Sequence, residues 1–397
     1  MIKDTALKIC FIGWGDSIHT QRWMKWFVEN GHQVYLITDR PSGADGVIEY
    51  DISMKEEYTG NRLSRYLRLE FNVYYIRKLL KILGINALKQ IIAIIRTIWK
   101  IRPDILHLHT LLHPSNLGVF AGLRPTVVTP WNGDIVWKKD WSLLRKVLVK
   151  KVLHDSDLIT VDSEELRTKV LKYGNYADKT EQIAFGVETG IFNPENKAMH
   201  IREKLNIPDR APIVLSPRSL HDLYNIDIII SAIPLVLAVH PETIFVFCWY
   251  SESKKKELLD LVVRLKVESN VRFTGIVHDR VELANYYAEA SVCVSIPSYD
   301  TIPVSLLEAM ACGAAPVISD LPSPRECVEN NVNGCVVPIR NVEATANVVT
   351  ALLSDNKLRE RMSERNVTLA RTRYDWNDNM RKLEGMYYAL CEKYSKF

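Results

Sequence analysis

The chain has 397 residues, 47% apolar and 25% charged, a composition that leaves room for two or three globular domains and is ordinary for an enzyme. Its net charge of +4 is small but uneven, because residues 1–190 hold 27 Lys and Arg against 21 Asp and Glu, leaving 24 against 26 for the remainder. Seven scattered cysteines without a C-x-x-C pair exclude a disulfide framework and a zinc site of ordinary spacing, so reduced, buried thiols are expected. No apolar stretch reaches the length of a membrane span, since Lys89, Arg96 and Asp227 interrupt the best candidates. The opening MIKDTALKICFIGWG has an apolar run too short for a signal-peptide core, and a cytoplasmic protein is expected.

Residues 8–12 form a buried-strand pattern, followed by Gly13-Trp14-Gly15, a polar turn and a helix expected over residues 21–30. Gly31 ends that helix, and residues 32–38 read as a second strand, which makes a βαβ unit. A Gly-x-Gly turn after a first strand is where backbone meets a ligand, although the missing third glycine of the dinucleotide fingerprint argues against NAD. His19, just past the turn, reads either as a substrate contact or as a capping residue.

Between residues 61 and 102, ten Lys and Arg and a single acid, Glu70, interleave with Leu, Ile, Tyr and Trp99 at helical spacing. Arg77, Lys78, Lys81, Lys89, Arg96 and Lys100 would project beside a wide apolar face. Such helices either lie on an anionic membrane surface or present the solvated side of a core-packed helix. A second basic stretch over residues 137–151, including Lys146 and Lys150, repeats the pattern and leans toward the membrane reading. Nucleic acid is not an expected partner, because no recognition motif accompanies the basic residues and the second half is faintly acidic.

Strand signals return at residues 104–109 and 126–129. The loop after the first holds His107, His109 and His113, and the loop after the second reads TPWNGDIVW with Asn132, Gly133 and Asp134. No carboxylate of matching spacing joins the histidines, so a metal site is not expected. A strand over residues 158–161 then precedes a helix that starts near Ser163.

After Asn193-Pro194 the alternation restarts, with a strand over residues 213–216, Arg218 beyond its end, and helices and strands in turn to residue 295. This spacing gives a second doubly wound α/β domain whose parallel sheet is buried on both faces, with a cleft expected between the two domains. Residues 297–320, PSYDTIPVSLLEAMACGAAPVISD, then run turn, helix, turn, strand. Asp300 is expected in the turn before that helix and Glu308 two turns inside it. Free N–H groups and the helix dipole make the turn between them an anion site; the alternative is that Asp300 merely caps and Glu308 is solvated. Helices over residues 342–353, 356–373 and up to about 394 complete the chain.

These segments in combination resemble the family 4 retaining glycosyltransferases of the GT-B fold. The resemblance is carried in the second half by Arg218 after a strand, the FTG of Phe273 to Gly275, the acidic pair Asp300 and Glu308, EAMACG, and a strand ending in Ser-Asp. In the first half KICFIGWGDSIHTQRW, GHQVYLIT, HLHT, TPWNGDI, VDSEEL and FGVETGIFNP agree, so it covers nearly the whole chain. It implies an acceptor-binding Rossmann-like domain over residues 1–192, a nucleotide-sugar-binding one over 193–375, facing each other across a central cleft, and a helix over 376–397 crossing back to the first domain.

By position, the resemblance implies that Arg218 holds the diphosphate, Glu308 the ribose and Asp300 the sugar hydroxyls. The backbone of Thr301 and Ile302 would hold phosphate, and Phe273 and Gly275 would lie near the base. Gly13 and Gly15 join the donor-binding set, Asp134 joins Asp300 and Arg218 as a catalytic candidate, and His19, His109 and Asn132 are candidates on the acceptor side. Transfer from a nucleotide-diphosphate sugar to a lipid-linked or surface-saccharide acceptor is the implied activity, without cofactor or metal. The basic stretches, with Arg77, Lys78, Lys81, Lys146 and Lys150, would place the enzyme on the inner face of the membrane. A nucleotide-sugar-binding protein without transferase activity, a phosphorylase and an epimerase are the alternatives. The chain departs from the family pattern at Asp300, where Glu is usual, at Tyr224, where Lys is usual, and at Trp131-Asn132-Gly133, where many members place a His before Gly. His221 is a candidate to supply the charge that Tyr224 lacks.

Overall fold

The computed structural model describes residues 5–53, 88–135, 143–197, 200–248 and 253–395. Two compact units divide the chain: the first comprises residues 1–161, 166–183 and 382–397, the second residues 162–165 and 184–381. The chain therefore passes between the units at 183/184 and 381/382, with a short excursion over residues 162–165, where the resemblance implies boundaries at 192/193 and 375/376.

The first unit is built on strands β1 (Lys8–Ile12), β2 (Gln33–Thr38), β3 (Val47–Asp51), β4 (Ile105–Leu108), β5 (Thr126–Val128), β6 (Leu158–Val161) and β7 (Thr180–Gln182). They pair in parallel in the order β3-β2-β1-β4-β5-β6-β7. Every residue of β4, β5 and β6 is buried, as continuous apolar runs in a parallel sheet covered on both faces require. Helix α1 (Ile18–Glu29) begins three residues before the expected start and sends Trp23, Met24, Trp26 and Phe27 inward at helical spacing.

Helix α2, over residues 88–101, buries Ile91, Ile94, Ile98 and Ile101, so its apolar face is spent on the core while Trp99 and Lys100 stay exposed. A short α3 (Asn132–Ile135) follows β5. Helix α4 (Leu143–Asp155) then buries Val149, Val152 and Leu153 and leaves Val147 and Lys150 exposed. The apolar faces of these two helices are thus buried in the core, and their basic residues lie on the opposite side. Arg77, Lys78 and Lys81 lie outside the described residues. Among the described residues no helix is long and apolar enough to cross a membrane.

Helix α5 (Glu164–Leu171) starts in the residues assigned to the second unit. That unit continues through α6 (His200–Lys204), β8 (Ile213–Ser216), α7 (Ile226–Leu237), β9 (Ile244–Cys248), α8 (Lys255–Leu265), β10 (Val271–Gly275), α9 (Arg280–Glu289) and β11 (Val292–Ser295). It then adds α10 (Val304–Ala311), β12 (Ala315–Ser319), α11 (Pro322–Arg325), β13 (Cys335–Val337), α12 (Val342–Ser354) and α13 (Asn356–Arg373). The last helix, α14 (Trp376–Ser395), begins in the second unit and ends in the first. The second sheet is wholly parallel, in the order β10-β9-β8-β11-β12-β13, with one apolar cluster on each face. Each sheet repeats the Rossmann arrangement, in which strand order reverses beside the first strand of the unit; ligands bind beyond the carboxyl ends of the strands at that reversal.

Candidate functional site

In the second unit the order reverses between β8 and β11. Arg218 stands two residues past the end of β8, and Asp300 stands in the loop after β11, so the topology brings residues far apart in sequence to one crevice. The guanidinium donates from Nη2 to Asp300 Oδ2 at 2.6 Å and from Nη1 to Ser305 Oγ at 2.8 Å. Its third contact is with Tyr224, whose ring centroid lies 4.2 Å from the guanidinium carbon and whose hydroxyl is also within hydrogen-bonding reach of it. Burial opposes the charge on Arg218, but Asp300, Tyr224 and Tyr287 outweigh it and hold the pKa above the ordinary arginine value.

Glu308 is 7% exposed and its Oε2 accepts a hydrogen bond from the Tyr287 hydroxyl at 2.9 Å. It stands one turn into α10 rather than two, because the helix begins at Val304 and Pro303 occupies the N-cap position. The N-cap is Pro303, and Asp300 accepts instead from Arg218 and from the Thr301 N–H, which lies ahead of the helix. The Thr301 N–H already donates to Asp300 Oδ1 at 3.0 Å, and both Thr301 and Ile302 precede the helix. Val304 and Ser305 are the first helical residues, so Thr301 and Ile302 stand in the loop ahead of the helix terminus, and Ser305 is the residue whose side chain meets Arg218.

Phe273 stacks on Phe247 with centroids 5.3 Å apart, near the end of β10. Gly275 closes the strand with φ of 79°, a left-handed conformation that a residue with a side chain rarely adopts, and a register shift precedes it. Asp162, from the segment leading into α5, reaches this unit as well. It is buried, accepts from Ser163 Oγ at 2.9 Å and bonds the Thr301 side chain. Burial first, then Asp300 and Glu326, push its pKa up to about 6. Alongside it Glu326 accepts the N–H groups of Glu164 and Glu165, while Glu165 accepts the N–H of Ser323 at 3.2 Å. Each of two helix N-termini, those of α5 and α11, is thus satisfied by a carboxylate from the other.

In the first unit the corresponding reversal, between β1 and β4, holds neutral and enclosed groups. His107 bonds Tyr387 and Thr129, and burial lowers its pKa to about 3. His109 is completely buried, and neither ring nitrogen has a hydrogen-bond partner among the described residues. It sits against Phe11, Trp23, His107 and Trp131, and burial, aided by His107 and His19, holds its pKa well below the ordinary value. The expectation that His109 meets an acceptor therefore encounters a closed aromatic box. His19 is the second residue of α1, edge-on to Trp131, with its pKa lowered to about 4 by burial and by Arg22.

Asp134 is only 1% exposed, and its Oδ2 accepts from Thr110 Oγ1, Leu111 N–H and Trp131 N–H, each at 2.8 Å. Three donors on one oxygen make this buried carboxylate a brace between the loops after β4 and β5. Gly15 has a packing reason of its own, since a Cβ there would run into the Arg40 carbonyl oxygen. Gly13 likewise lies close under His109, 3.3 Å from its Cβ to the position of an added one. Asn132 opens α3, and its side chain is outside the described residues.

The motifs single out Arg218, Asp300 and Glu308; the structure adds Ser305, Tyr287 and Asp162. Of these only Asp162 leaves a trace in the sequence, as an acid directly after a buried strand. His221, exposed, accepts the Leu223 N–H on Nδ1 at 3.1 Å.

Two Rossmann-like sheets with a guanidinium–carboxylate pair at one reversal form a frame that hosts several chemistries, and similarity to known proteins decides among them. The family described as "Glycosyl transferases group 1" matches residues 198–367, and "Glycosyl transferase 4-like" matches residues 8–163. The chain belongs to these glycosyltransferases and has the GT-B fold. A glycosyltransferase of uncharacterized specificity from Methanocaldococcus jannaschii is 23% identical over 97% of this chain and 99% of its own. A D-inositol 3-phosphate glycosyltransferase from Xylanimonas cellulosilytica is 25% identical over 73% of this chain and 67% of its own. Among solved structures, a Rickettsia africae glycosyltransferase superposes with a TM-score of 0.77 at 17% identity, over 97% of this chain and 99% of its own. Anabaena HepE, in complex with UDP, gives 0.76 at 17% identity, over 97% of this chain and 100% of its own.

Proposed function

We propose that this protein is a retaining glycosyltransferase that moves a sugar from a nucleotide-diphosphate sugar to a lipid-linked or surface-polysaccharide acceptor. The observation that carries the reading is Arg218, held by Asp300 and Ser305 at the strand-order reversal of the second unit. A guanidinium there stabilises the negative charge that grows on the β-phosphate as the bond from the anomeric carbon to the leaving oxygen breaks. The acceptor oxygen forms the new bond on the same face, and its proton passes to the departing phosphate, so the anomeric configuration is kept. Asp300 serves the sugar hydroxyls and Glu308 the ribose. HepE has been crystallised with UDP and with UDP-glucose, which favours a uridine donor as the first to try. The acceptor is assigned to the first unit, and no metal ion takes part.

The test is turnover with a panel of uridine, guanosine and adenosine diphosphate sugars against lipid-linked and saccharide acceptors, with and without EDTA, and with the product anomer read by NMR. We expect transfer with retention that EDTA leaves unchanged, and a loss of about a thousandfold in Arg218→Ala. An Arg218→Ala variant as active as the wild type would end this reading. The exposed Lys150, Val147, Trp99 and Lys100 support peripheral contact with an anionic membrane surface, which cosedimentation with anionic but not neutral vesicles would establish.

A further inference from the structure

We infer that Tyr224 is a positioning residue for the donor diphosphate: its ring, carried on a loop tied to the loop of Asp300, sets how the Arg218 guanidinium is presented. This rests on the proposed donor role of Arg218 and specifies how that role is held in place.

A guanidinium grips a diphosphate well only if its fork is aimed, because each N–H bond weakens steeply off line. Arg218 is a long side chain with considerable rotamer freedom, and fixing it costs entropy that a single ionic partner does not recover. Here it is fixed from three directions. Asp300 and Ser305 take Nη2 and Nη1 within its plane, and the Tyr224 ring lies 4.2 Å from its central carbon. Both in-plane partners bind through hydrogen bonds that phosphate oxygens could take over. The ring face competes with nothing a phosphate offers, so it keeps its grip while the in-plane bonds exchange.

The ring is itself built in. Tyr224 ends a short 3-10 turn, Asp222–Tyr224, and the next residue, Asn225, is completely buried with φ of 53°. Asn225 Nδ2 donates to the Ile296 carbonyl at 2.8 Å and to Ser298 Oγ at 3.0 Å, and the Ser298 N–H donates to the Leu223 carbonyl at 2.8 Å. Arg340 Nη1 donates to Asn225 Oδ1 at 2.8 Å and its Nη2 to Asp227 at 2.8 Å. The loop that carries Tyr224 is therefore stitched to the loop that carries Asp300. One frame sets both the ring and the carboxylate that hold Arg218.

The experiment measures binding of UDP, GDP and ADP to the full chain by calorimetry, takes the tightest as probe, and uses the matching nucleoside as control. Tyr224→Phe should bind the diphosphate within about twofold of wild type, and Tyr224→Leu should bind it roughly threefold to thirtyfold more weakly, with nucleoside affinity unchanged in both. The unfolding midpoint of each variant is measured alongside, and Tyr224→Met, which keeps bulk without a ring, replaces leucine if that variant does not fold. Diphosphate affinity preserved in the ringless variants while Arg218→Ala has lost it would overturn the inference and leave the proposed function standing. A Tyr224→Phe loss as large as the leucine loss would overturn it too, by moving the effect to the hydroxyl. Binding unaffected even in Arg218→Ala would remove both readings together.

Discussion

At the reversal of the second sheet, Arg218, Asp300 and Ser305 form an ionic and hydrogen-bonded group whose side chains keep some contact with solvent, 11% for Arg218 and 21% for Asp300. At the same topological place in the first sheet, His107, His109, Trp23 and Asp134 are buried over one another and carry little or no exposed polar surface. The strand order is common to both, yet one crevice gathers an ion pair open to solvent and the other encloses histidines, aromatic rings and one buried, hydrogen-bonded carboxylate. A site that takes and releases a charged group needs ionic partners that can be traded; a site whose polar atoms are all enclosed serves to set loops.

Asp300→Asn probes that difference most strongly. The turnover number should fall by roughly a hundredfold, as the sugar loses a carboxylate partner, while the affinity for the nucleoside diphosphate holds or rises because the guanidinium no longer shares itself with a charge. Calorimetry and steady-state kinetics on one preparation decide it: affinity falling in step with turnover would erase the division of roles. Glu308→Gln should weaken nucleotide and sugar nucleotide alike by about tenfold, through the loss of a charged hydrogen-bond acceptor. A variant that impairs transfer but binds nucleotide normally would move Glu308 away from the ribose.

In the first unit the expected response is of stability and not of chemistry. Asp134→Asn should lower the unfolding midpoint by a few degrees, from a loss of about 1–2 kcal/mol, and leave the donor KM unchanged. Transfer lost without any change in the midpoint would instead give this carboxylate a direct part in the reaction. The smallest effect belongs to Asp162, whose pKa is pushed up to about 6 in the fold, from 3.8. The folded state then holds a proton that the unfolded chain has lost, so this residue's contribution to stability declines as pH rises from about 4 to 6. Unfolding midpoints over that range should decline less in Asp162→Asn than in the wild type, and parallel profiles would contradict the buried titration.

Much of the fold could be read from the residues because interior strands of parallel sheets are continuous apolar runs: β1, β6, β8 and β11 lie where their sequences place them. The strands that escaped, β3, β7 and β13, are the outermost of their sheets or only three residues long. β3, with the residues VIEYD, has no buried position, so no burial pattern exists for a sequence to display. The candidate site divides in the same way. Arg218, Asp300 and Glu308 belong to a spacing that can be matched; that Asp134 turns inward, or that the Tyr224 ring lies 4.2 Å from a guanidinium carbon, depends on side-chain direction, which no spacing encodes. The basic helices show the cost of that gap, since the isoleucines of α2 that read as a membrane face are the ones that fill the core.

Helix α14 has a practical consequence for anyone dividing this chain. The first unit closes only with residues 382–397, which supply Tyr387 to His107 and Glu384 to His32. A contiguous fragment ending near residue 183 would leave His107 short of a buried partner and strip Phe27 of the ring stacked 5.3 Å from it. Expression of the first unit by itself therefore calls for a graft, with the last sixteen or so residues rejoined through a linker, and not for a stop codon.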